Sequence, residues 1–156
     1  DIPIACEMVD VCELLRRGRD LFLPVAEDKG ISLELEAPGS GLAVRGDTAR
    51  LQRCISNLLD NALKFTGPGG RVVVSARGFS DRVEIAVEDT GRGIDPDDLP
   101  NIFKRFYRSD RSRSTPGSGL GLSLVDSIVR AHHGRIAVKS APGEGAVFTV
   151  SLPRAS

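Results

Sequence analysis

The segment TARLQRCISNLLDNALKF, residues 48–65, is the part of the sequence that decides the fold. Its apolar residues recur with the spacing of a buried helix face: Leu51, Ile55, Leu58, Ala62 and Phe65. Asp47 stands where an N-cap residue is expected, and the turn-forming residues 67–70 follow the last apolar position. We therefore predict a helix from Thr48 to about Phe65 that packs on a core.

A polar stripe runs along the same helix. Asn57, Asn61 and Lys64 are spaced i, i+4 and i+7, which places them on one side, about 120° from the apolar stripe. Amide oxygens can complete a Mg²⁺ shell that already holds phosphates and water, and an ammonium group can neutralise phosphate charge. A solvated helix face explains the same three residues equally well.

The residues after this helix predict two strand hairpins and a further helix. The strands are 72–74 with 83–87, and 136–138 with 148–152. A helix is predicted from Leu122 to about His133, with Gly134 as its C′ residue and the histidines as imidazolium near its negative end. Residues 91–119 are interpreted as a long loop that carries a short helical turn from Asn101 to Phe106.

The residues before the long helix predict another helix and another hairpin. Apolar residues from Met8 to about Glu27 keep near-helical spacing, with a break or kink expected near Pro24. Residues 31–35 alternate between apolar and polar, and the turn at residues 38–41 leads to a short strand at 42–44. These two strands are predicted to pair as a hairpin.

Length and composition favour a single domain without a chain-wide charge preference. The chain has 156 residues, with 21 Lys plus Arg against 21 Asp plus Glu, so no general attraction to nucleic acid is expected. The three cysteines form no disulfide framework and no zinc spacing, which fits a reducing cytoplasm. No stretch approaches the length of a membrane helix, and we expect a cytoplasmic fragment that inserts into no membrane.

Asp89 opens the segment Asp-Thr-Gly-Arg-Gly at the end of a predicted strand. A carboxylate fixed there can accept a hydrogen bond from the exocyclic amine of adenine, whereas it would face the carbonyl of guanine. Gly91 and Gly93 allow the backbone to approach a flat ligand. The alternative interpretation is a plain Asp-Gly turn.

The segment Gly117-Ser-Gly-Leu-Gly-Leu122 precedes the last predicted helix. Free N–H groups at a helix start favour phosphate, but the glycine spacing matches neither a Rossmann fingerprint nor a Walker loop. A flexible hinge is the alternative. Five basic residues between Lys104 and Arg113 favour a phosphate-facing lid or a solvated loop over a nucleic-acid patch, because the nearby aromatic residues are not interleaved with them.

Four segments in this order resemble the N, G1, F and G2 boxes of bacterial sensor histidine kinases: 57–66, 89–93, 103–106 and 117–122. The chain is thereby identified as similar to the catalytic ATP-binding (HATPase) domain of the GHKL superfamily, along nearly its whole length. The resemblance implies a Bergerat-type α/β sandwich, with a mixed sheet of about five strands and three helices on one face. It also implies a single domain over residues 1–156, in which residues 1–8 belong to a linker.

The resemblance assigns roles to particular residues. It implies that Asn57 and Asn61 help bind Mg²⁺, that Lys64 and Arg108 act on the phosphates, and that Asp89 binds the adenine amino group. The remaining residues expected around ATP are Phe65, Gly91, Gly93, Ile94, Gly117, Gly119, Leu120, Gly121 and Leu122. Two departures from the family pattern are Phe65, where Tyr is common, and Ala146, where Ser or Thr is usual.

The family's phosphoacceptor His-Glu-x-x-x-Pro pattern is absent from this sequence. The resemblance therefore implies that the domain holds Mg-ATP and donates its γ-phosphoryl group to a histidine of a separate dimerisation domain. Its further expected partner is a response regulator receiver domain. We expect this fragment to be a monomer and the whole kinase to be anchored in a membrane, with this domain on the cytoplasmic side.

Two other functions remain open from the sequence. The first is a hydrolytic GHKL ATPase, but such enzymes use a Glu to activate water, and the corresponding position here is Asn57. The second is a pseudokinase that binds nucleotide without transferring phosphate. Phosphorylation of an added dimerisation domain would distinguish a kinase from such a sensor.

Overall fold

The computed structural model describes residues 5–105 and 121–155. Helices pack against a five-stranded mixed sheet, and a separate two-stranded sheet lies beside it. In chain order the elements are β1 (Glu7–Asp10), α1 (Val11–Lys29), β2 (Ser32–Glu36), β3 (Ala43–Gly46), α2 (Thr48–Lys64), β4 (Arg71–Gly78), β5 (Arg82–Asp89), a 3₁₀ turn (Leu99–Asn101), α3 (Gly121–Ala131), β6 (Arg135–Ser140) and β7 (Ala146–Pro153). The predicted α/β sandwich is confirmed.

The large sheet has the strand order β2-β4-β5-β7-β6. β2 is parallel to β4, and the other neighbours are antiparallel. Two predicted hairpins, β4–β5 and β6–β7, are present in this sheet. Strands β5 and β7 alternate between buried and less buried positions, so one face of each of these two strands lies toward the core.

The predicted hairpin of residues 31–35 with residues 42–44 is wrong. β3 instead pairs with β1, with Val44 opposite Val9, and β2 pairs with β4, with Leu33 opposite Val72. Each of these four side chains is buried. The apolar residues of both strands thus find buried partners in two different sheets, and the Gly-rich turn between them connects the sheets.

The core lies between one face of the large sheet and the helices. α2 is the central helix, since it packs against both α1 and α3 as well as against β4 and β5. Its buried side chains are Leu51, Cys54, Ile55, Leu58, Leu59, Ala62 and Leu63. The Asp47 side chain caps the helix by accepting a hydrogen bond from the Arg50 N–H, at 3.1 Å, as the sequence predicts.

Helix α1 differs from its prediction in two ways. It begins at Val11 and not at Met8, because residues 7–10 pair with β3 and Asp10 caps the helix through the Glu13 N–H. It also continues through Pro24. Proline has no backbone N–H, so the Asp20 carbonyl loses its hydrogen bond within the helix. Asp20 and Pro24 are both exposed, so water can bond to that carbonyl instead.

Helix α3 ends in a Schellman motif that the sequence analysis placed one residue too late. The left-handed residue is His133, with φ 61°, and not Gly134. The His133 N–H donates to the Arg130 carbonyl and the Gly134 N–H to the Val129 carbonyl, at 3.0 and 2.9 Å. Gly134 is required for a different reason, since a Cβ there would overlap the Ser151 carbonyl oxygen.

Two smaller expectations also need correction. The helical turn predicted from Asn101 to Phe106 is a 3₁₀ turn at Leu99–Asn101, where Pro100 suits the first turn; Phe106 lies outside the described residues. The imidazolium predicted for His132 is wrong, because its Nε2 accepts a hydrogen bond from the Asp47 N–H. Among the described helices, none is long and apolar enough to cross a membrane.

The conformation of His133 predicts that glycine is more stable than histidine at this position. A left-handed backbone costs an L-residue roughly 1–2 kcal/mol, and glycine avoids this cost. Glycine also loses more conformational entropy on folding, which offsets part of the gain. His133→Gly should therefore raise the free energy of unfolding by about 0.5–1 kcal/mol in a urea titration. An unchanged or lower value would contradict the strain at this residue.

Candidate functional site

The C-terminal half of α2 carries the polar stripe identified in the sequence. Asn57 and Asn61 are half-buried, and their neighbours Leu58 and Ala62 are buried in the core. The two amides therefore lie at the boundary between the core and solvent, where a ligand can reach them. Lys64 is the last residue of the helix and is exposed.

Lys64 forms an ion pair within its own helix. Its Nζ atom lies 3.1 Å from Oδ2 of Asp60, one turn earlier. Exposed i, i+4 pairs of this kind contribute only about 0.3–0.5 kcal/mol. The ammonium group can thus exchange its carboxylate partner for a phosphate at low cost.

Asp89 is the last residue of β5 and only 7% exposed. Its Oδ1 atom accepts a hydrogen bond from the Gly91 N–H at 2.8 Å. Burial raises the pKa of this carboxyl above its ordinary value, the N–H groups of Gly91 and Ala146 oppose that shift, and the nearby charge of Glu88 adds to it. A buried, backbone-oriented carboxyl group of this kind is characteristic of a ligand-binding position.

The turn after Asp89 lies directly on the C-terminal end of α2. A Cβ atom at Gly91 would overlap the Phe65 carbonyl oxygen, and the Arg92 N–H donates to that same oxygen at 3.3 Å. The Arg92 guanidinium lies over the Phe65 ring, 4.5 Å from its centroid. These contacts bring the strand-end carboxylate and the end of the Asn-Asn-Lys helix together in one place.

A second set of contacts fixes the turn from the other side. The Arg92 carbonyl accepts from the Gly143 N–H at 2.7 Å, and the Ile94 N–H donates to Ser140 Oγ at 2.8 Å. Ser140 Oγ in turn donates to the Gly145 carbonyl at 2.6 Å. Residues 91–94 are thus held between α2 and the turn that joins β6 to β7.

Ser140 and Arg92 have structural roles that the sequence analysis missed. Neither residue follows a periodicity, and each acts through contacts with residues distant in the chain. The one available signal was Gly145, whose φ is 76° and whose Cβ would overlap the Asp89 carbonyl oxygen. That close approach explains why a glycine must lie opposite the end of β5.

The glycine-rich segment enters the described structure only at its end. Gly121 and Leu122 belong to the first turn of α3, and within residues 5–105 and 121–155 no atom lies within 4 Å of a Cβ built at Gly121. Phe103 packs edge-on against Phe148 in the core, with ring centroids 6.3 Å apart. The other residues predicted here lie outside the described residues: Phe106, Arg108, Gly117, Gly119 and Leu120.

The donor set suits a magnesium ion that arrives with its ligand better than a resident metal. Within residues 5–105 and 121–155, no group of three His, Cys, Asp or Glu side chains could hold a metal ion. Asn57 and Asn61 offer neutral amide oxygens at the solvent boundary. Such oxygens can complete an octahedral Mg²⁺ shell composed mainly of phosphate and water.

Fold and site together define an α/β sandwich in which one helix carries a paired-amide stripe and a glycine-rich turn follows a buried strand-end carboxylate. The family model described as "Histidine kinase-, DNA gyrase B-, and HSP90-like ATPase" matches residues 46–156. The chain belongs to this family. The predicted membership in the ATP-binding family of the histidine kinases is thereby confirmed.

Curated relatives of this chain are sensor histidine kinases. Sensor histidine kinase CusS of Escherichia coli O157:H7 is 42% identical over 149 residues, which cover 94% of this chain and 30% of CusS. Alginate biosynthesis sensor protein KinB of Pseudomonas aeruginosa is 41% identical over 149 residues, 96% of this chain and 24% of KinB. This chain therefore spans less than a third of these relatives.

Solved structures agree with the sequence relatives. Full-length ShkA in complex with AMPPNP has a TM-score of 0.88 and 33% identity, with 99% of this chain and 32% of ShkA covered. The catalytic domain of histidine kinase ThkA, in a nucleotide-free form, has a TM-score of 0.85 and 27% identity, with 96% and 95% covered. This chain therefore has the fold of a histidine kinase catalytic domain.

The close packing of the turn predicts that alanine destabilises the protein much more at Gly93 than at Gly143, although the two glycines have similar backbone conformations. Gly93 and Gly143 have φ values of 74° and 77°. A Cβ at Gly93 would overlap the Ala141 carbonyl oxygen, whereas no atom of the described residues lies within 4 Å of a Cβ at Gly143. Gly143→Ala should lower the free energy of unfolding by about 1 kcal/mol, and Gly93→Ala by about 2–4 kcal/mol.

Urea denaturation of both variants measures this difference. Because the two positions share the same backbone strain, the matched control Gly143→Ala isolates the cost of the steric overlap. Equal destabilisation by the two substitutions would show that Gly93 is not tightly packed against residue 141.

Proposed function

We propose that this chain binds Mg-ATP and donates its γ-phosphoryl group to a histidine on a separate dimerisation domain of a two-component sensor histidine kinase. The observation that carries the proposal is the contact between the Asp89 turn and the C-terminal end of α2. It places the strand-end carboxylate next to the end of the amide-bearing helix, so that a base bound at the first and phosphates bound along the second could belong to one ligand. Support comes from the sensor histidine kinase relatives and from the AMPPNP complex of ShkA.

Asp89 would bind the adenine base. Its buried carboxylate, oriented by the Gly91 N–H, would accept a hydrogen bond from the exocyclic amine, which guanine lacks at that position. Gly91 and Gly93 would shape the base pocket indirectly, since their lack of a Cβ lets the turn pack against the Phe65 and Ala141 carbonyl oxygens. Phe65 and Ile94 flank this turn and would contact the nucleoside.

The helix stripe would bind the phosphates and the metal. Asn57 and Asn61 would each supply an amide oxygen to the Mg²⁺ that ATP brings with it. Lys64 would leave Asp60 and neutralise phosphate charge. Mg²⁺ supplies charge stabilisation for phosphoryl transfer when it is bound.

Phosphoryl transfer needs little covalent chemistry from the protein. Its rate depends mainly on holding the γ-phosphoryl group in line with the acceptor and on neutralising charge. We assign phosphate contacts and lid closure to residues that follow the F box: Arg108, Gly117, Gly119, Leu120, Gly121 and Leu122. Of these, Gly121 and Leu122 lie at the start of α3, where helix N–H groups favour anions.

The partners follow from the same proposal. The acceptor histidine would belong to the dimerisation domain of the same kinase, and a response regulator receiver domain would take the phosphate from it. The domain would work in the cytoplasm, as part of a kinase that other segments anchor to a membrane. A hydrolytic ATPase fits less well, because the Asn57 amide cannot act as the general base that activates water.

Asp89→Asn should weaken ATP binding while the domain remains folded. The substitution keeps the shape of the side chain but removes the charged acceptor, a loss of about 1.5–3 kcal/mol. Calorimetric titration with ATP, and with GTP as the control, measures the change. Unchanged ATP affinity in a folded variant would remove Asp89 from the adenine site.

The raised pKa of Asp89 gives this binding a defined pH dependence. The carboxyl group loses its charge at a higher pH than an ordinary aspartate, so affinity should begin to fall above the usual Asp range as the pH is lowered. The free energy of unfolding of the nucleotide-free domain should instead rise as the pH is lowered, because protonation of Asp89 removes a buried charge. Asp89→Asn should lack both effects.

The transfer step is tested by adding the phosphoacceptor. A dimerisation domain from a relative such as CusS would be joined to this chain, and labelled phosphohistidine measured with Mg-ATP. We expect transfer in the wild-type chain and reduced, less Mg²⁺-dependent transfer in Asn61→Ala. ATP binding without any labelled histidine would show a nucleotide sensor, and phosphate release into water instead would show a hydrolytic ATPase.

A further inference from the structure

His132 is a buried titratable group to which the proposed mechanism gives no task. It follows the last residue of α3 and is 5% exposed. Its Nδ1 atom lies 2.7 Å from the Ile128 carbonyl oxygen, and its Nε2 atom lies 3.0 Å from the Asp47 backbone nitrogen. A carbonyl can only accept and a backbone N–H can only donate, so the ring is the neutral Nδ1–H tautomer.

The first of these hydrogen bonds holds the ring within α3, and the second joins the end of α3 to the beginning of α2. Asp47 is the N-cap of α2, and its backbone N–H points at the imidazole while its side chain caps the helix. A Cβ atom at Gly46 would overlap the imidazole ring, so the sequence leaves room for the ring at this place. The imidazole therefore adds a polar link to the apolar packing of α3 on α2.

The two helices joined in this way carry the two halves of the proposed phosphate site. α2 presents Asn57, Asn61 and Lys64, and α3 begins at the last residues of the glycine-rich segment. A displacement at the His132 end of α3 would be carried along the helix to its first turn. The imidazole is therefore one of the contacts that would set the spacing between the two proposed phosphate-binding segments.

Protonation would remove the link. An imidazolium ring carries a proton on both nitrogens, and its Nε2–H would then face the Asp47 N–H, two donors without an acceptor. A buried donor left without a partner is strongly unfavourable, so the ring and the start of α2 would have to separate.

The charged groups around the imidazole do not replace that hydrogen bond. Asp47 is the nearest acid, and its carboxylate already accepts from the N–H groups of Arg50 and Ala5. From β1, the Glu7 carboxylate accepts from the Thr48 N–H at the same helix start. On α3, Asp126 and Arg130 pair with each other at 3.0 Å; the exposed residues His133 and Arg135 follow in the chain. Asp47 and Glu7 would attract an imidazolium ring, but in this geometry neither carboxylate accepts a hydrogen bond from its Nε2–H.

We propose that His132 is a positioning residue for the nucleotide site: the neutral ring locks α3 to the N-cap of α2, and its protonation releases the lock and weakens nucleotide binding. The inference rests on the proposed ATP-binding function and adds a pH response to that site. It does not place His132 in contact with the nucleotide.

Two substitutions separate the link to α2 from the bond within α3. In His132→Gln, the longer amide can place its oxygen near the position of Nε2 and accept from the Asp47 N–H, without a titrating group. In His132→Asn, the shorter amide can donate to the Ile128 carbonyl but cannot reach α2. His133→Asn is the matched control, because it removes the adjacent exposed imidazole and tolerates the left-handed backbone.

The experiment is a calorimetric titration of the 156-residue chain with AMPPNP and Mg²⁺ at two pH values, about 8 and about 6. We expect wild type and His133→Asn to lose about fivefold or more in affinity on acidification, and His132→Gln to lose clearly less. Asp89 and the phosphates also titrate, but they contribute equally to all variants. At about pH 8, His132→Asn should bind about fivefold or more weakly than His132→Gln.

The outcomes separate this inference from the function on which it rests. Equal pH responses of wild type and His132→Gln, with binding intact, overturn the inference and leave the ATP-binding proposal standing. Absence of AMPPNP binding by the folded wild-type chain at both pH values overturns both. If His132→Asn does not fold, the pH responses of nucleotide affinity in wild type and His132→Gln still test the inference.

Discussion

The contact between the Asp89 turn and α2 centres on one backbone carbonyl, that of Phe65 at the end of α2. Arg92 donates its N–H to this oxygen, and the absence of a Cβ at Gly91 lets the two chain segments meet. Without that approach, the carboxylate at the end of β5 and the amide stripe of α2 would belong to separate surfaces. The glycines of the turn thus have a packing role that exists before any ligand binds, and any ligand role is additional to it.

Sequence periodicity was sufficient for the elements whose packing is local. The long helix was predicted almost to the residue, since its N-cap and its apolar stripe both lie within the segment. The two valine-rich hairpins were also correct, because short turns specify antiparallel neighbours. The pairing of β2 and β3 was not predictable in the same way, because each strand has an amphipathic pattern that is compatible with several partners. β2 pairs with the strand that carries Val72, and β3 with the strand that carries Val9, and both partner residues are buried and distant in the chain.

The candidate site shows the same division between local and distant information. The stripe of Asn57, Asn61 and Lys64 follows from helix geometry alone, and the strand-end position of Asp89 follows from alternation. The contacts of Ser140 and the stacking of Arg92 on Phe65 could not be derived, since each joins segments that no periodicity relates. His133 was missed because a histidine occupies a left-handed position that sequence rules give to glycine. The roles assigned to residues 106–120 remain predictions.

The ion pair between Lys64 and Asp60 has a consequence for the thermodynamics of ligand binding. The ammonium group is partly neutralised by Asp60, so under the proposed function phosphate binding would exchange one anionic partner for another. The free energy gained is the difference between the two pairings, and the released Asp60 carboxylate must be rehydrated. Added salt screens both pairings, which reduces the net salt sensitivity of this contact. A lysine held in this way presents less net positive charge to solvent than an unpaired lysine would.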